Sequence, residues 1–290
     1  MIEADTRISY PDGDVTSESA IVHVQPGGAA TSLVVLAATA AHPVDPTWPD
    51  QGPDRGTLTV GGSDLPLQDV RIGAWDGTEL HVGDRLPARL GTEGWRFVVV
   101  HEVPADAALE VGATAVVHVD ERHRRSLSLG HTACHVASLA LNAALADRWT
   151  KDARRDALGA PDFDGIAIQR SVIRPWGSTD TYRLGKSLRR SGFRTEGLGE
   201  ELDEIARRID ERLAGWVASD AAVWIERPSD ALTARRSWHC ALPEQTAVIP
   251  CGGTHARHLG ELGAVTVRLA LDDSGTELTM ETDARPAGTP

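Results

Sequence analysis

The stretch Leu129-Gly130-His131-Thr132-Ala133-Cys134-His135-Val136-Ala137-Ser138-Leu139-Ala140-Leu141-Asn142-Ala143-Ala144-Leu145 is where the chain changes its period. Ala133, Val136, Ala137, Ala140, Leu141, Ala144 and Leu145 recur at intervals of three and four. That spacing predicts a helix over 129–149 with a broad buried face. Upstream the pattern is different. Residues 20–24, 32–36, 57–60, 79–82, 96–101 and 114–119 are short Val-rich runs, mostly bounded by Gly, Pro or Asp, and read as strands. No helical period precedes residue 105. Short strands at such spacing suggest a small barrel or sandwich. Residues 42–53 hold Pro43, Pro46, Pro49 and Pro53 and read as an irregular loop.

Downstream, Leu202, Ile205, Ile209, Leu213 and Trp216 predict a second amphipathic helix over 200–217. Strands are expected at 165–174, 222–226, 245–249, 264–271 and 277–281. Helices on one face of a mainly antiparallel sheet make an α+β layer domain. The expected boundary falls near residue 115, giving a β domain over 1–115 and an α+β domain over 116–290.

Composition narrows the function classes. The chain has 290 residues, a net charge of −13 and three cysteines. An odd, low cysteine count does not make a disulfide framework. The longest apolar run, 33–41, is too short to span a bilayer, and no secretory signal is visible at Met1-Ile2-Glu3-Ala4-Asp5, so a cytoplasmic protein is expected. Charge is unevenly spread. Residues 1–118 carry 17 acidic and 6 basic side chains, whereas 148–194 carry 11 Lys/Arg against 5 Asp. An acidic chain is no general nucleic-acid binder, yet a local basic segment suits one specific RNA contact.

Two motifs carry chemistry. In His131-Thr132-Ala133-Cys134-His135 the histidines stand at i and i+4, on one helical face. In Cys251-Gly252-Gly253-Thr254-His255 a thiol and an imidazole flank a Gly-Gly turn. Together they offer three nitrogens and one sulfur, a donor set suited to tetrahedral zinc. Cys134 is rotated about 100° from His135 and is expected to face the core. His239 and Cys240 are further possible ligands, and His258 is placed on the surface. Two rivals remain at this level: Cys251 as a thiol nucleophile with a histidine base, and a purely structural zinc site whose four positions are all filled.

The same residues resemble the alanyl-tRNA editing proteins (AlaX-like), free-standing relatives of the editing domain of alanyl-tRNA synthetase. His131-Thr-Ala-Cys-His135 is similar to the family's HTAxH. Cys251-Gly-Gly-Thr-His255 followed by Glu261-Leu262-Gly263 is similar to its CxGTH and GEIG. Thr39-Ala-Ala-His42-Pro43, with Gln51-Gly-Pro-Asp54-Arg-Gly56, resembles its TxFYPxxGGQPxDxG loop, and residues 179–190 resemble the insertion between the metal motifs. The resemblance implies a small N-terminal β-barrel, a two-layer α+β editing domain, and hydrolysis of the ester that joins a wrong amino acid to tRNA. It implies zinc held by His131, His135, Cys251 and His255. Thr39 and Gln51 would line the amino-acid pocket, and Asp54 and Gly56 would end its loop. Glu261 matches an acid of unassigned role. The interval from Thr39 to Gln51 is longer than the family's, Pro49-Asp50 replaces its paired glycines, and His42 replaces its tyrosine. The expected substrate is therefore serine or another small β-hydroxy amino acid, including a threonine analogue on threonine tRNA.

The chemistry assigns further roles. Backbone N–H groups of Gly252, Gly253 and Thr254 are expected to stabilise a developing oxyanion. Hydroxyls of Thr39 and Thr254 suit a substrate hydroxyl, and a site built around such a bond rejects analogues lacking it. Arg183, Lys186, Arg189 and Arg190 are expected to meet acceptor-end phosphates, with Arg183, Lys186 and Arg190 on one helical face and Tyr182 or Trp176 stacking on a terminal base. The rival classes are a noncatalytic RNA-binding module with structural zinc and a hydrolase of small esters or amides.

Overall fold

The computed structural model describes residues 2–28, 30–83, 86–105 and 109–286. The chain forms two compact units. The first comprises 1–124 with two returning segments, 225–237 and 250–254; the second comprises 125–224, 238–249 and 255–290.

The first unit is built from strands β1 (Arg7–Ile8), β2 (Thr16–Pro26), β3 (Thr31–Leu36), β4 (Ala38–Thr39), β5 (Gly56–Val60), β6 (Ser63–Pro66), β7 (Asp69–Trp75), β8 (Leu80–Val82), β9 (Arg96–Pro104) and β10 (Thr114–Val119). Eight of them make one sheet in the order β6-β5-β10-β2-β3-β9-β7-β8. All the pairings described in it are antiparallel. β1 and β4 pair separately and in parallel. The expected barrel does not close: β6 and β8 end the sheet, with no pairing between them among the described residues. Both faces of the central strands are buried. Val34, Leu36, Phe97 and Val99 join one apolar cluster, and Val35, Val98 and Val100 another. This is why Leu33 to Leu36 and Phe97 to Val100 read as continuous apolar runs rather than alternating ones. β10 lies between β2 and β5, so it belongs to the first unit and the division falls later than residue 115.

The remaining elements lie wholly or mostly in the second unit, with α1, β13, β14 and β15 running across the division: α1 (Glu121–Ala144), α2 (Phe163–Ala167), β11 (Ile168–Arg174), β12 (Gly177–Arg183), α3 (Lys186–Arg190), α4 (Leu202–Ala218), β13 (Val223–Glu226), β14 (Ser237–Ala241), β15 (Thr246–Pro250), β16 (Ala264–Leu271) and β17 (Glu277–Arg285). An antiparallel sheet β11-β12-β17-β16 and a three-stranded sheet β13-β14-β15 result. The fold is therefore mixed α+β, as expected. Asp120 caps α1, accepting from His123 N at 3.0 Å. The helix lies close against the turn between β11 and β12, because residue 130 is glycine. A Cβ there would stand 2.5 Å from Arg174 O and 2.6 Å from Gly177 O. α4 buries Ile205, Ile209, Leu213 and Trp216, and its Asp210 accepts from Val267 N on the edge strand β16 at 2.8 Å. The helix thus protects that edge.

Residues 177–183 form a strand, and within the basic segment 183–194 the α-helix is confined to Lys186–Arg190. The buried face of β12 is polar, carrying Ser178, Asp180 and Tyr182. Asp180 accepts from Ser171 Oγ at 2.5 Å and Ser178 Oγ at 2.7 Å, and Tyr182 Oη donates to Asp164 at 3.0 Å. Burial pushes the Asp164 carboxyl from 3.8 up to about 7, with Asp180 and Asp162 adding to the shift and Tyr182 and Arg154 opposing it. Folded Asp164 therefore keeps a proton that the unfolded chain has released between about pH 4 and 7. Its contribution is greatest in acid and is lost as pH rises through about 7. Asp164→Asn should remove a loss on the order of a few kcal/mol over that window. Urea unfolding from pH 4 to 8 should show the variant gaining on the wild type as pH rises; parallel profiles would refute the shift.

Candidate metal centre

His131 and His135 stand one turn apart on α1, and His255 lies on the segment after the Gly-Gly turn. All three belong to the second unit. Their rings pack together, with centroids 4.9 Å apart for His131 and His135, 4.4 Å for His131 and His255, and 5.1 Å for His135 and His255. Trp238 on β14, fully buried, closes one side at 5.0 Å from His135 and 6.1 Å from His255. Burial pushes the His131 imidazole down to about 3, and burial together with His131 holds His135 well below its ordinary value. The rings of His131 and His135 are therefore uncharged at neutral pH, as metal ligands must be. His135 Nε2 is buried with no hydrogen-bond partner among the described residues, a costly state that a cation would relieve.

Cys251 supplies the sulfur. One donor atom from each of His131, His135, Cys251 and His255 can be chosen so that all lie within 4.8 Å of one another. The expected donor set is thus brought together, and three nitrogens with one sulfur fit a divalent ion such as zinc. Burial pushes the isolated Cys251 thiol up to about 12, against the pull of the Gly253 and Gly252 N–H groups and the nearby Arg236. Gly253 N points at Cys251 Sγ at 3.5 Å.

Thr132, between the two histidines, escaped the sequence reading. Its Oγ1 donates to Ser128 O at 2.9 Å, a carbonyl that can only accept. The oxygen must therefore accept from Ala256 N at 2.9 Å and from His255 Nδ1–H at 3.3 Å. That tautomer puts the ring's lone pair on His255 Nε2, the form in which this nitrogen can ligate an ion. Glu261 acquires a role as well: it accepts from Arg257 N at 2.8 Å and lies 3.6 Å from Arg125, bracing the segment after His255 against α1.

The other expected residues fall as follows. Thr254 N donates to Gln51 Oε1 at 3.0 Å, and Gln51 Nε2 donates to Thr254 Oγ1 at 2.9 Å. The N–H groups expected to face an oxyanion are thus directed at the Cys251 sulfur and at Gln51, and would have to be released to serve as one. Thr39 is 1% exposed; its Oγ1 meets His101 Nε2 at 2.9 Å and accepts from Ala41 N at 3.1 Å. Asp54 accepts from His42 N and pairs with the buried Arg124, which also donates to Ala40 O. Thr39 and Asp54 therefore bond to the backbone at the start of the 39–54 loop, and Gln51 ties the loop to Thr254. Cys134 contacts Asp180 at 3.5 Å and faces the core, as expected. His239 stacks on Trp224, Cys240 is fully buried, and neither joins the donor group. His258 is exposed and bonded to Asp220.

Arg183, Lys186, Arg189 and Arg190 are all exposed, but they span a strand end and a short helix rather than one helical face. Arg189 also donates to Leu184 O at 2.8 Å. Tyr182 is fully buried and cannot stack on a base.

Thr132→Val keeps the shape of the side chain and removes the acceptor that orients His255. Zinc affinity, measured by competition with a chelator, should fall by about 10- to 100-fold while the far-UV spectrum is unchanged. Wild-type affinity would show that the hydroxyl does not orient the ligand.

No protein-family model matches this chain, and no curated protein matches it.

Proposed function

We propose that the chain is a zinc-dependent aminoacyl-tRNA deacylase acting in trans, which removes serine or another small β-hydroxy amino acid from a mischarged tRNA. The observation that carries this reading is the convergence of His131, His135, Cys251 and His255. The sequence motifs that supply those donors also resemble the alanyl-tRNA editing proteins. A bound zinc ion would supply Lewis acidity toward the ester carbonyl. The chain's own residues supply the rest. Neutral imidazoles of His131 and His135 and the Thr132-oriented ring of His255 would hold the ion. N–H groups of Gly252 and Gly253 would stabilise the Cys251 thiolate. The reciprocal Gln51–Thr254 pair fixes the loop that carries these donors. The exposed cations of 183–190 would bind acceptor-end phosphates.

One observation favours a second reading. Four protein donors already fill a tetrahedral set, which is the usual form of a structural site. A noncatalytic RNA-binding module with structural zinc would have the same four ligands.

Turnover separates the two. Purified protein with one zinc per chain should hydrolyse seryl- or another β-hydroxyaminoacyl-tRNA at least ten-fold faster than alanyl-tRNA, and His131→Ala or chelation should abolish it. Zinc-loaded protein inert on serine-, glycine-, alanine- and threonine-type aminoacyl-tRNAs would leave the noncatalytic reading. Equal rates on free aminoacyl esters would identify a small-ester hydrolase instead.

The basic segment has its own test. Arg183→Ala with Arg190→Ala should weaken tRNA binding and reduce the slope of log affinity against log salt by about 1.5 to 2. An unchanged slope would exclude these side chains as the RNA contact.

A further inference from the structure

Two enclosed arginines of the first unit find carboxylates. Arg124 turns its paired donors Nε–H and Nη2–H onto Asp54, and Arg227 pairs with Asp12 and Asp230. Arg236, just ahead of β14, does not. It is half-buried, and no acid pairs with it among the described residues. Its Nη1 donates to Leu232 O at 3.0 Å, and its guanidinium carbon lies over the Tyr10 ring, 5.8 Å from the centroid. Those contacts fix the group without neutralising it. Its Nε is buried with no hydrogen-bond partner among the described residues, and its Nη2 has none there either. An enclosed charge without a counter-ion is costly. The fork that Arg124 directs at Asp54 is therefore directed, in Arg236, at an anion that the chain does not supply.

The place of the fork identifies the anion. Nη2 lies against the Gly-Gly turn: a Cβ at residue 252 would stand 3.0 Å from it, so glycine keeps the approach clear. Cys251 N donates to Arg236 O at 3.2 Å, which ties the arginine to the segment that carries the donor sulfur. That sulfur does not use the fork. It accepts from Gly253 N, and Arg236 makes no hydrogen bond to it. An RNA esterified at its 3′ end has one kind of anionic group, the phosphodiester. The charge nearest the ester is the linkage on the 5′ side of the terminal nucleoside. A guanidinium fork matches phosphate oxygens in geometry and charge.

We infer that Arg236 binds the terminal phosphodiester of the RNA, through Nη2 and the adjacent Nε, and so holds the esterified end beside Cys251. The inference rests on the RNA substrate proposed above. It names a cation outside the 183–190 segment and assigns it to one particular phosphate.

The test compares two short oligoribonucleotides ending in the acceptor sequence CCA, one natural and one whose last linkage is a neutral methylphosphonate. Binding to the zinc-loaded protein is read by fluorescence anisotropy. The wild type should prefer the natural RNA by about ten-fold or more. Arg236→Gln should bind both alike, at the wild-type affinity for the neutral RNA, and its slope of log affinity against log salt should fall by about 0.7. Melting curves and zinc content verify that the variant folds and keeps its ion. A wild type indifferent to the neutral linkage overturns the inference, and that arm needs no variant. So does an Arg236→Gln protein that keeps the preference while binding both RNAs more weakly, which would show that Arg236 only braces Leu232 and Tyr10. Wild-type deacylation is measured alongside. Turnover without a preference for the charged linkage ends this inference alone, whereas an Arg236-dependent preference without turnover ends the deacylase reading alone.

Discussion

Three imidazoles enclosed ring against ring are the constraint around which the second unit is arranged. Charged, they would repel one another at 4.4 to 5.1 Å and would lose their hydration. Neutral, each still carries a nitrogen lone pair that must be satisfied, and His135 Nε2 finds no donor among the described residues. A cation resolves both difficulties at once. The surrounding residues make sense as its support: Thr132 turns His255, Trp238 packs against one side of the rings, and Gly130 lets α1 approach the β11–β12 turn closely.

Much of this was legible from spacing alone. The i, i+4 histidines and the Cys-to-His interval announce a donor set because helical and tight-turn geometry leave few other ways to use such residues. α4 was legible because one face of it is apolar and the other charged. The elements that escaped did so for identifiable reasons. No strand is expected at β12 because its buried face carries Ser178, Asp180 and Tyr182, made tolerable by hydrogen bonds among Ser171, Ser178, Asp180 and Asp164 that the sequence does not reveal. The continuous apolar runs of β3 and β9 identify strands but not whether a sheet closes, because closure depends on which edges meet. β6 and β8 do not.

Side-chain roles within the site were harder to read than its ligands. Sequence identifies Thr39, Gln51 and Thr254 as hydroxyl and amide groups near the chemistry, but cannot show which already have partners. Gln51 uses both ends of its amide on Thr254, so the residue after the Gly-Gly turn is fixed before any substrate arrives.

Two threonines show how buried carbonyls and rings determine the polarity of a site. At Thr132 the proton goes to Ser128 O, leaving an oxygen that accepts from Ala256 N and His255 Nδ1. At Thr39 the determining group is His101. Burial pushes that imidazole down to about 4, so it is neutral, and its Nδ1 must donate to Val34 O, 3.2 Å away. His101 Nε2 can then only accept, and it takes the Thr39 proton. Thr39 Oγ1 is left as an acceptor for Ala41 N. In both places a group that can only accept fixes the hydroxyl hydrogen, and the oxygen then selects N–H donors. The first arrangement places the His255 lone pair on Nε2, and the second holds the start of the loop that runs to Gln51. The same rule excludes Thr39 as a hydrogen-bond donor to any substrate while His101 stays neutral. Discrimination for a β-hydroxyl at this position would therefore have to operate through the remaining lone pair of Thr39, with the substrate donating.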